Sequence, residues 1–333
     1  MNRQKLVDTL EVVGKAVERN NLIPIYEYYC FDGETIFAWN DVFGIEAPYQ
    51  VPTPFAVHGP TFLGLLKASK EDTIDLKVSG SQLKIQTGKS EFVLPIKGPE
   101  DFVWTDRPTF KQGQEIDVDI IKGIEHCLST TSDNLALENF TRVCIGTYDG
   151  HLAVYSTDGD ALTRYITTIK YGTLATLARD FCEAIVKAEG GKLIIEHNWI
   201  CALTGDYKII GRNLGPSTID YEDYISRILE GPIPDTISFP LKLNDALSRA
   251  RVVADIETSP TKLLVEDNEM ALMTETPFGE VYDVMPAKKH PNAEVAVNAS
   301  TFQTSMAGCS SFRILDKCCI LKGDQLLRLI SNL

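Results

Sequence analysis

The stretch Ile74–Ile96, IDLKVSGSQLKIQTGKSEFVLPI, alternates apolar and polar residues, turns at a short polar step, alternates again, turns beside Gly88 and closes on a third apolar run. Alternation with period two, broken by turn residues, predicts a three-stranded antiparallel meander. The same plan returns in Lys192–Leu214 (KLIIEHNWICALTGDYKIIGRNL) and in Phe312–Leu333 (FRILDKCCILKGDQLLRLISNL). Upstream of each copy lies a helical pattern: Pro60–Lys70, Thr173–Ala188 and Asn298–Cys309. The copies recur at roughly 120 residues, too long for a solenoid repeat, so the chain reads as three copies of one small domain.

Each third also opens with a helical pattern. In Arg3–Arg19 the apolar stripe is Leu6, Leu10, Val13 and Val17; in Asp117–Ser129 it is Val118, Ile121, Ile124 and Leu128; in Leu241–Ile256 it is Leu243, Leu247, Ala250 and Ala254. These spacings put the apolar side chains on one helix face. After each opening helix comes a hairpin with explicit turn chemistry: Phe31-Asp32-Gly33-Glu34, Tyr148-Asp149-Gly150-His151 and Glu266-Asp267-Asn268-Glu269. Asp-Gly and Asp-Asn accept the positive φ angles that tight hairpins need. The expected fold class is therefore α+β: three similar domains, each with two helices packed on one face of curved antiparallel sheet. Pro and Gly cluster at Trp104–Pro108 and Gly231–Asp235, which sets expected domains at 1–104, 105–231 and 232–333.

The chemistry-bearing residues point away from catalysis. Eight cysteines show no Cys-x-x-Cys spacing, and five histidines are scattered without ligand spacing, so neither a metal nor another cofactor is expected. The carboxylates of Thr157-Asp158-Gly159-Asp160 are the best candidate for holding magnesium. The equivalent segments, Asn40-Asp41 and Thr274-Glu275-Thr276, do not share them, and a polar turn at a strand end is the more economical account. No Gly-rich phosphate loop stands out. The charged amphipathic N-terminus is unlike a signal peptide, and no apolar run reaches membrane-spanning length, so a soluble, cytoplasmic chain is expected.

Net charge is −14, which argues at first sight against a polyanionic partner. The distribution changes that inference. The six segments read as helices carry 12 Lys or Arg against 10 Asp or Glu, whereas the remainder carries 20 against 36.

Three further stretches complete the reading: Leu22-Ile23-Pro24-Ile25 after the first helix, Lys89–Pro95 (KSEFVLP) closing the first third, and Val154-Tyr155-Ser156-Thr157-Asp158-Gly159 in the second. In this order, and with the threefold repeat, the chain resembles the bacterial-type DNA polymerase III β-subunit sliding clamps, including their phage relatives. The resemblance spans essentially the full length. It implies a homodimeric ring of two chains head to tail, helices lining a central hole and sheet forming the wall. Duplex DNA would pass through without sequence readout, and DNA polymerase, clamp loader and other clamp-binding proteins would dock outside.

Under that resemblance the residues facing DNA are Lys15, Arg19, Lys67, Lys70, Lys122, Arg179, Lys187, Lys242, Arg249 and Arg251. Asn20 stands where the family places a basic residue. The ring would close between Phe92 and Leu94 of one chain and Val252 and Val253 of the other. An apolar pocket for partner peptides, between the second and third domains, would be walled by Phe140, Thr157, Gly159, Asp160, Ala161 and Leu162, with Tyr224 and Arg227 near the connector and Leu329, Ile330 and Leu333 from the tail. Here the chain departs from the family, whose members often carry His-Arg-Leu where this one has Asp160-Ala161-Leu162, and a Met-Pro-Met-Arg type of ending. The alternative reading is a clamp-fold interaction hub for replication, repair or transcription proteins, with weak ring closure or none.

Overall fold

In the computed structural model the alternating stretches become strands and the 3.6-residue patterns become helices. It describes all residues except 19–21, 103–106, 111–113, 117, 135, 171, 189–190, 231–233, 255–258, 288–291, 316–317 and 333, and only the backbone of 114–116. The first third contains α1 (Arg3–Val13), β1 (Tyr28–Phe31), β2 (Thr35–Trp39), β3 (Phe43–Pro48), β4 (Phe55–His58), α2 (Gly59–Ala68), β5 (Asp75–Ser79), β6 (Gln82–Thr87) and β7 (Ser90–Lys97). The middle third contains β8 (Gln114–Ile116), α3 (Val118–Leu128), β9 (Arg142–Tyr148), β10 (His151–Thr157), β11 (Ala161–Ile166), β12 (Ala175–Ala178), α4 (Arg179–Lys187), β13 (Lys192–Ile195), β14 (Trp199–Thr204) and β15 (Tyr207–Arg212). After α5 (Tyr221–Leu229) come β16 (Ile237–Ser238), α6 (Leu243–Val253), β17 (Thr261–Glu266), β18 (Glu269–Thr276), β19 (Gly279–Pro286), β20 (Ala293–Val297), α7 (Ala299–Ser305), β21 (Ser311–Ile314), β22 (Cys318–Lys322) and β23 (Leu326–Ser331).

All three meanders form where the alternation places them, as β5–β6–β7, β13–β14–β15 and β21–β22–β23. The hairpin turns behave as their chemistry requires: Asp149 and Gly150, and likewise Asp267 and Asn268, all take positive φ between His151↔Tyr148 and Glu266↔Glu269 pairs.

Three expectations are corrected. The first helix ends at Val13 and continues only as a 3₁₀ turn over Gly14–Ala16, short of Arg19. The segment read as a helix from Thr173 begins as a strand, because β12 pairs with β9 and turns helical only at Arg179. A seventh helix, α5, precedes the Gly231–Asp235 connector in a stretch given no element; Asp220 caps it by accepting from the Asp223 N–H.

The chain forms two compact units. The first comprises Met1–Val118 and Asp180–Leu214 and carries an eleven-stranded sheet in the order β5-β6-β7-β4-β1-β2-β3-β15-β14-β13-β8. The second comprises Asp119–Arg179 and Gly215–Leu333 and carries an eight-stranded sheet, β12-β9-β10-β11-β23-β22-β21-β16, and a four-stranded one, β19-β18-β17-β20. Each large sheet runs across a repeat boundary, through β3–β15 in one unit and β11–β23 in the other. In the second unit, α6 and α7 cover a core that includes Leu247, Leu263, Leu272, Phe302 and Phe312.

Candidate functional site

The turn between β10 and β11 is built by its own polar side chains. Asp158 Oδ1 accepts from the Asp160 and Ala161 N–H groups at 3.0 and 2.7 Å, and Thr157 Oγ1 donates to the Ala161 carbonyl at 2.7 Å. Gly159 takes φ +102°, and a Cβ there would stand 3.5 Å from the Phe140 ring. Phe140 thus flanks the turn at Gly159. Burial raises the Asp158 pKa, with the Asp160 charge adding to it, although the two N–H bonds pull the other way. Among the described residues, no group of three or more His, Cys, Asp or Glu side chains is arranged to hold a metal.

Strand alternation then sorts the wall residues. Leu162 and Leu329 are cross-strand partners on the face beneath α5, buried with Tyr221, Ile225 and Ile320. Ala161 and Ile330, also partners, point to the opposite face and belong to the α6–α7 core. Gly159 and Asp160 are exposed, while Thr157 and Phe140 are half-buried. Tyr224 and Arg227 stand on the exposed side of α5, where Arg227 pairs with Asp223 at 2.6 Å. The tail is tied to the turn through the Asp160 carbonyl, which accepts from the Ser331 N–H and Oγ, each at 2.8 Å. Leu333 lies outside the described residues.

What fixes α5 over the sheet is a polar clamp that the sequence reading missed. Arg164 Nη1 donates to both carboxylate oxygens of Glu222 on α5, at 3.1 and 2.8 Å, with its guanidinium 3.9 Å from the Tyr148 ring centre. Tyr155 donates to the same carboxylate at 2.7 Å and stacks on Tyr221. The signal was present in the Asp220 cap followed by Tyr221, Ile225 and Ile228 at helical spacing.

The basic residues expected on the helices are exposed in all but one described case. Lys15, Lys70, Lys122 and Lys242 face solvent. Lys67 pairs with Glu11 at 2.7 Å, Lys187 with Glu183 at 3.4 Å and Arg249 with Asp283 at 2.8 Å, while Arg251 donates to Gln303 Oε1 at 2.8 Å. Arg179 differs: it is half-buried and donates to the Thr131 carbonyl. Arg19 and Asn20 lie outside the described residues.

Two strand edges complete the picture. β7 pairs with β6 from Ser90 to Pro95 but with β4 only at Ile96 and Lys97, and β19 is the terminal strand of its sheet. Phe92 and Leu94 on β7 are half-buried, cross-strand from Ile85 and Leu83. Val252 is 84% exposed and Val253 half-buried at the end of α6; nearby on the β18–β19 hairpin, Phe278 and Tyr282 are 83% and 65% exposed. Unpaired edges flanked by exposed apolar side chains favour association.

No protein-family model matches the chain, and no curated protein matches it by sequence. Solved structures do match. The DNA polymerase III β chain of Streptococcus pneumoniae superposes with a TM-score of 0.87 at 16% identity, covering 100% of this chain and 98% of that one. The DNA polymerase III β subunit of Thermotoga maritima gives 0.84 at 17%, and the Pseudomonas aeruginosa sliding clamp bound to griselimycin gives 0.85 at 16%, each with the same coverage. The chain has the sliding-clamp fold over its full length.

Proposed function

We propose that this chain is a non-catalytic sliding clamp, a processivity factor that encircles duplex DNA and tethers the replicative polymerase. The observation that carries the reading is the full-length likeness to solved clamps at TM-scores of 0.84 to 0.87. Three repeat domains, 1–104, 105–231 and 232–333, would form half of a ring, closed by a second copy. The open β7 edge with Phe92 and Leu94, and the β19 edge with Val252 and Val253 close by, are the two faces proposed to meet.

The helix charges fit a topological hold. Lys67, Lys187 and Arg249 are already paired with carboxylates, so the surface offered to DNA attracts phosphate only modestly. A closed ring retains DNA without strong contacts, and such contacts would slow sliding. Lys15, Lys67, Lys70, Lys122, Arg179, Lys187, Lys242, Arg249 and Arg251, with Arg19 and Asn20, are the proposed DNA-facing set. Partner peptides are proposed to dock beside Phe140, Thr157, Gly159 and Asp160, with Leu162 and Leu329 beneath and Tyr224 and Arg227 alongside. The work would be done on DNA in the cytoplasm.

The deciding experiment loads the chain, with a clamp loader, onto nicked circular DNA and onto the same DNA linearised. Retention on the circle and run-off from linear ends are expected; equal retention on both would overturn the proposal.

A further inference from the structure

The helices of the two units hold their exposed cations in different ways. In the first unit, Lys67 on α2 meets Glu11 on α1 at 2.7 Å, and Lys187 meets Glu183, one turn away on α4, at 3.4 Å. A carboxylate at that range cancels much of the charge before an anion approaches. In the second unit Arg249 on α6 is likewise matched, by Asp283 at 2.8 Å. Arg251 is treated otherwise: its Nη1 donates to the neutral Gln303 Oε1 on α7 at 2.8 Å, and it forms no ion pair among the described residues.

Gln303 is itself fixed. Its Nε2 donates to Asn244 Oδ1 and Ser248 Oγ, each at 2.8 Å, and to the Asn244 carbonyl at 3.2 Å. Asn244, Ser248 and Arg251 follow one another at helical spacing, so they share the face of α6 that meets Gln303. With the amide nitrogen engaged there, its oxygen is the atom left for the guanidinium. The α7 segment ASTFQTS carries no charged residue. The ladder therefore holds Arg251 in place and leaves its charge whole, with Nε and Nη2 unpartnered among the described residues on an exposed side chain. Lys15, Lys70, Lys122 and Lys242 also lack ion pairs among the described residues, but no hydrogen bond there fixes their ammonium groups, and gripping an anion costs them side-chain freedom.

We propose that Gln303 is a positioning residue, and that through it Arg251 becomes the strongest single phosphate contact among the described residues. The inference rests on the sliding-clamp reading and adds a rule to it: a cation held by a carboxylate contributes little to the grip on DNA, and one held by an amide contributes a full charge. A phosphate meets the free Nε and Nη2 as a two-pronged acceptor without first breaking an ion pair.

The test titrates the full chain with a labelled duplex of about 20 base pairs, from about 20 to 150 mM salt, and reads the slope of log affinity against log salt. Gln303→Glu keeps the side-chain shape and the bond to Arg251 but cancels its charge; the slope is expected to fall by about 0.9 and low-salt affinity by about fivefold. Glu11→Gln makes the opposite exchange at Lys67 and is expected to steepen the slope by a similar amount. Thr304→Glu adds the same charge at the next, exposed position of α7 and is expected to change the slope less than half as much. Urea unfolding at the wild-type midpoint checks that the fold is kept. A wild-type slope for Gln303→Glu, or an equal change from Thr304→Glu, would overturn the proposal. Wild-type chain retained equally on circular and linear DNA would instead overturn the clamp reading, so the two failures are told apart.

Discussion

The two strand pairs that carry a sheet across a repeat boundary solve one problem in different ways. At β3–β15 the register is Phe43↔Gly211 to Glu46↔Lys208, and the polar support across it is charge pairing by exposed cations: Lys208 to Glu46 at 2.9 Å and Arg212 to Asp41 at 3.2 Å. At β11–β23 the support is buried. Arg328, 1% exposed, is the cross-strand partner of Thr163 and gives Nη1 to the Thr304, Ser305 and Ala307 carbonyls and Nη2 to the His126 carbonyl. Those oxygens belong to the last turns of α3 and α7 or the residues just past them, where helix dipoles present negative ends. One seam is laced from outside; the other is pinned through its core and roofed by α5.

The contrast breaks first at Arg328. Arg328→Met keeps most of the volume but strands several buried carbonyls, and a loss of about 3–5 kcal/mol is expected in urea unfolding monitored by near-UV circular dichroism. A loss below about 1 kcal/mol would mean that the cage contributes little beyond packing.

Next comes the roof. Glu222→Ala leaves Arg164, buried at the sheet surface, without its carboxylate and removes the acceptor of Tyr155. A loss of about 2 kcal/mol is expected, with faster amide exchange in α5 than in β9–β11. Uniform exchange across the second unit would show that α5 and the sheet open together.

A smaller effect is expected from acid. The His126 pKa is lowered, first by burial and then by the Arg328 charge, against a weaker pull from Glu125. A folded value below the unfolded one means that the unfolded chain binds the proton more readily. Stability is therefore full above the ordinary histidine value of about 6.5 and declines as pH falls from there toward the folded value. His126→Gln is expected to flatten that part of the pH–stability curve; an unchanged slope would assign it to other groups.

The smallest effect belongs to the outer lacing. Lys208→Ala removes a half-exposed pair and is expected to cost about 0–1 kcal/mol, leaving the β3–β15 pairing intact by amide exchange. A larger loss would erase the distinction between the seams.

The same contrast marks what was legible in the sequence. Strand alternation and the Asp-Gly and Asp-Asn turns act between near neighbours, and they disclose the meanders, the hairpins and the α+β class. The β12 strand was hidden because Ala175–Ala178 reads equally well as helix until β9 offers its edge. The α5 helix was hidden by the Pro-rich segment beside it. At the candidate site, the apolar pair Leu162 and Leu329 was readable by position, but their separation from Ala161 and Ile330 required the strand register. Arg328 gave no local sign at all: in LLRLIS it is the one charged residue in a mostly apolar strand, and its acceptor at His126 is 202 positions away.

The Arg328 cage has one more property. Carbonyl oxygens neither titrate nor gather counterions, so this seam keeps its strength in dilute and concentrated salt alike, whereas any grip on phosphate by surface cations loosens as salt rises. Ionic strength can therefore weaken the exposed ion pairs that lace the β3–β15 seam without loosening this one.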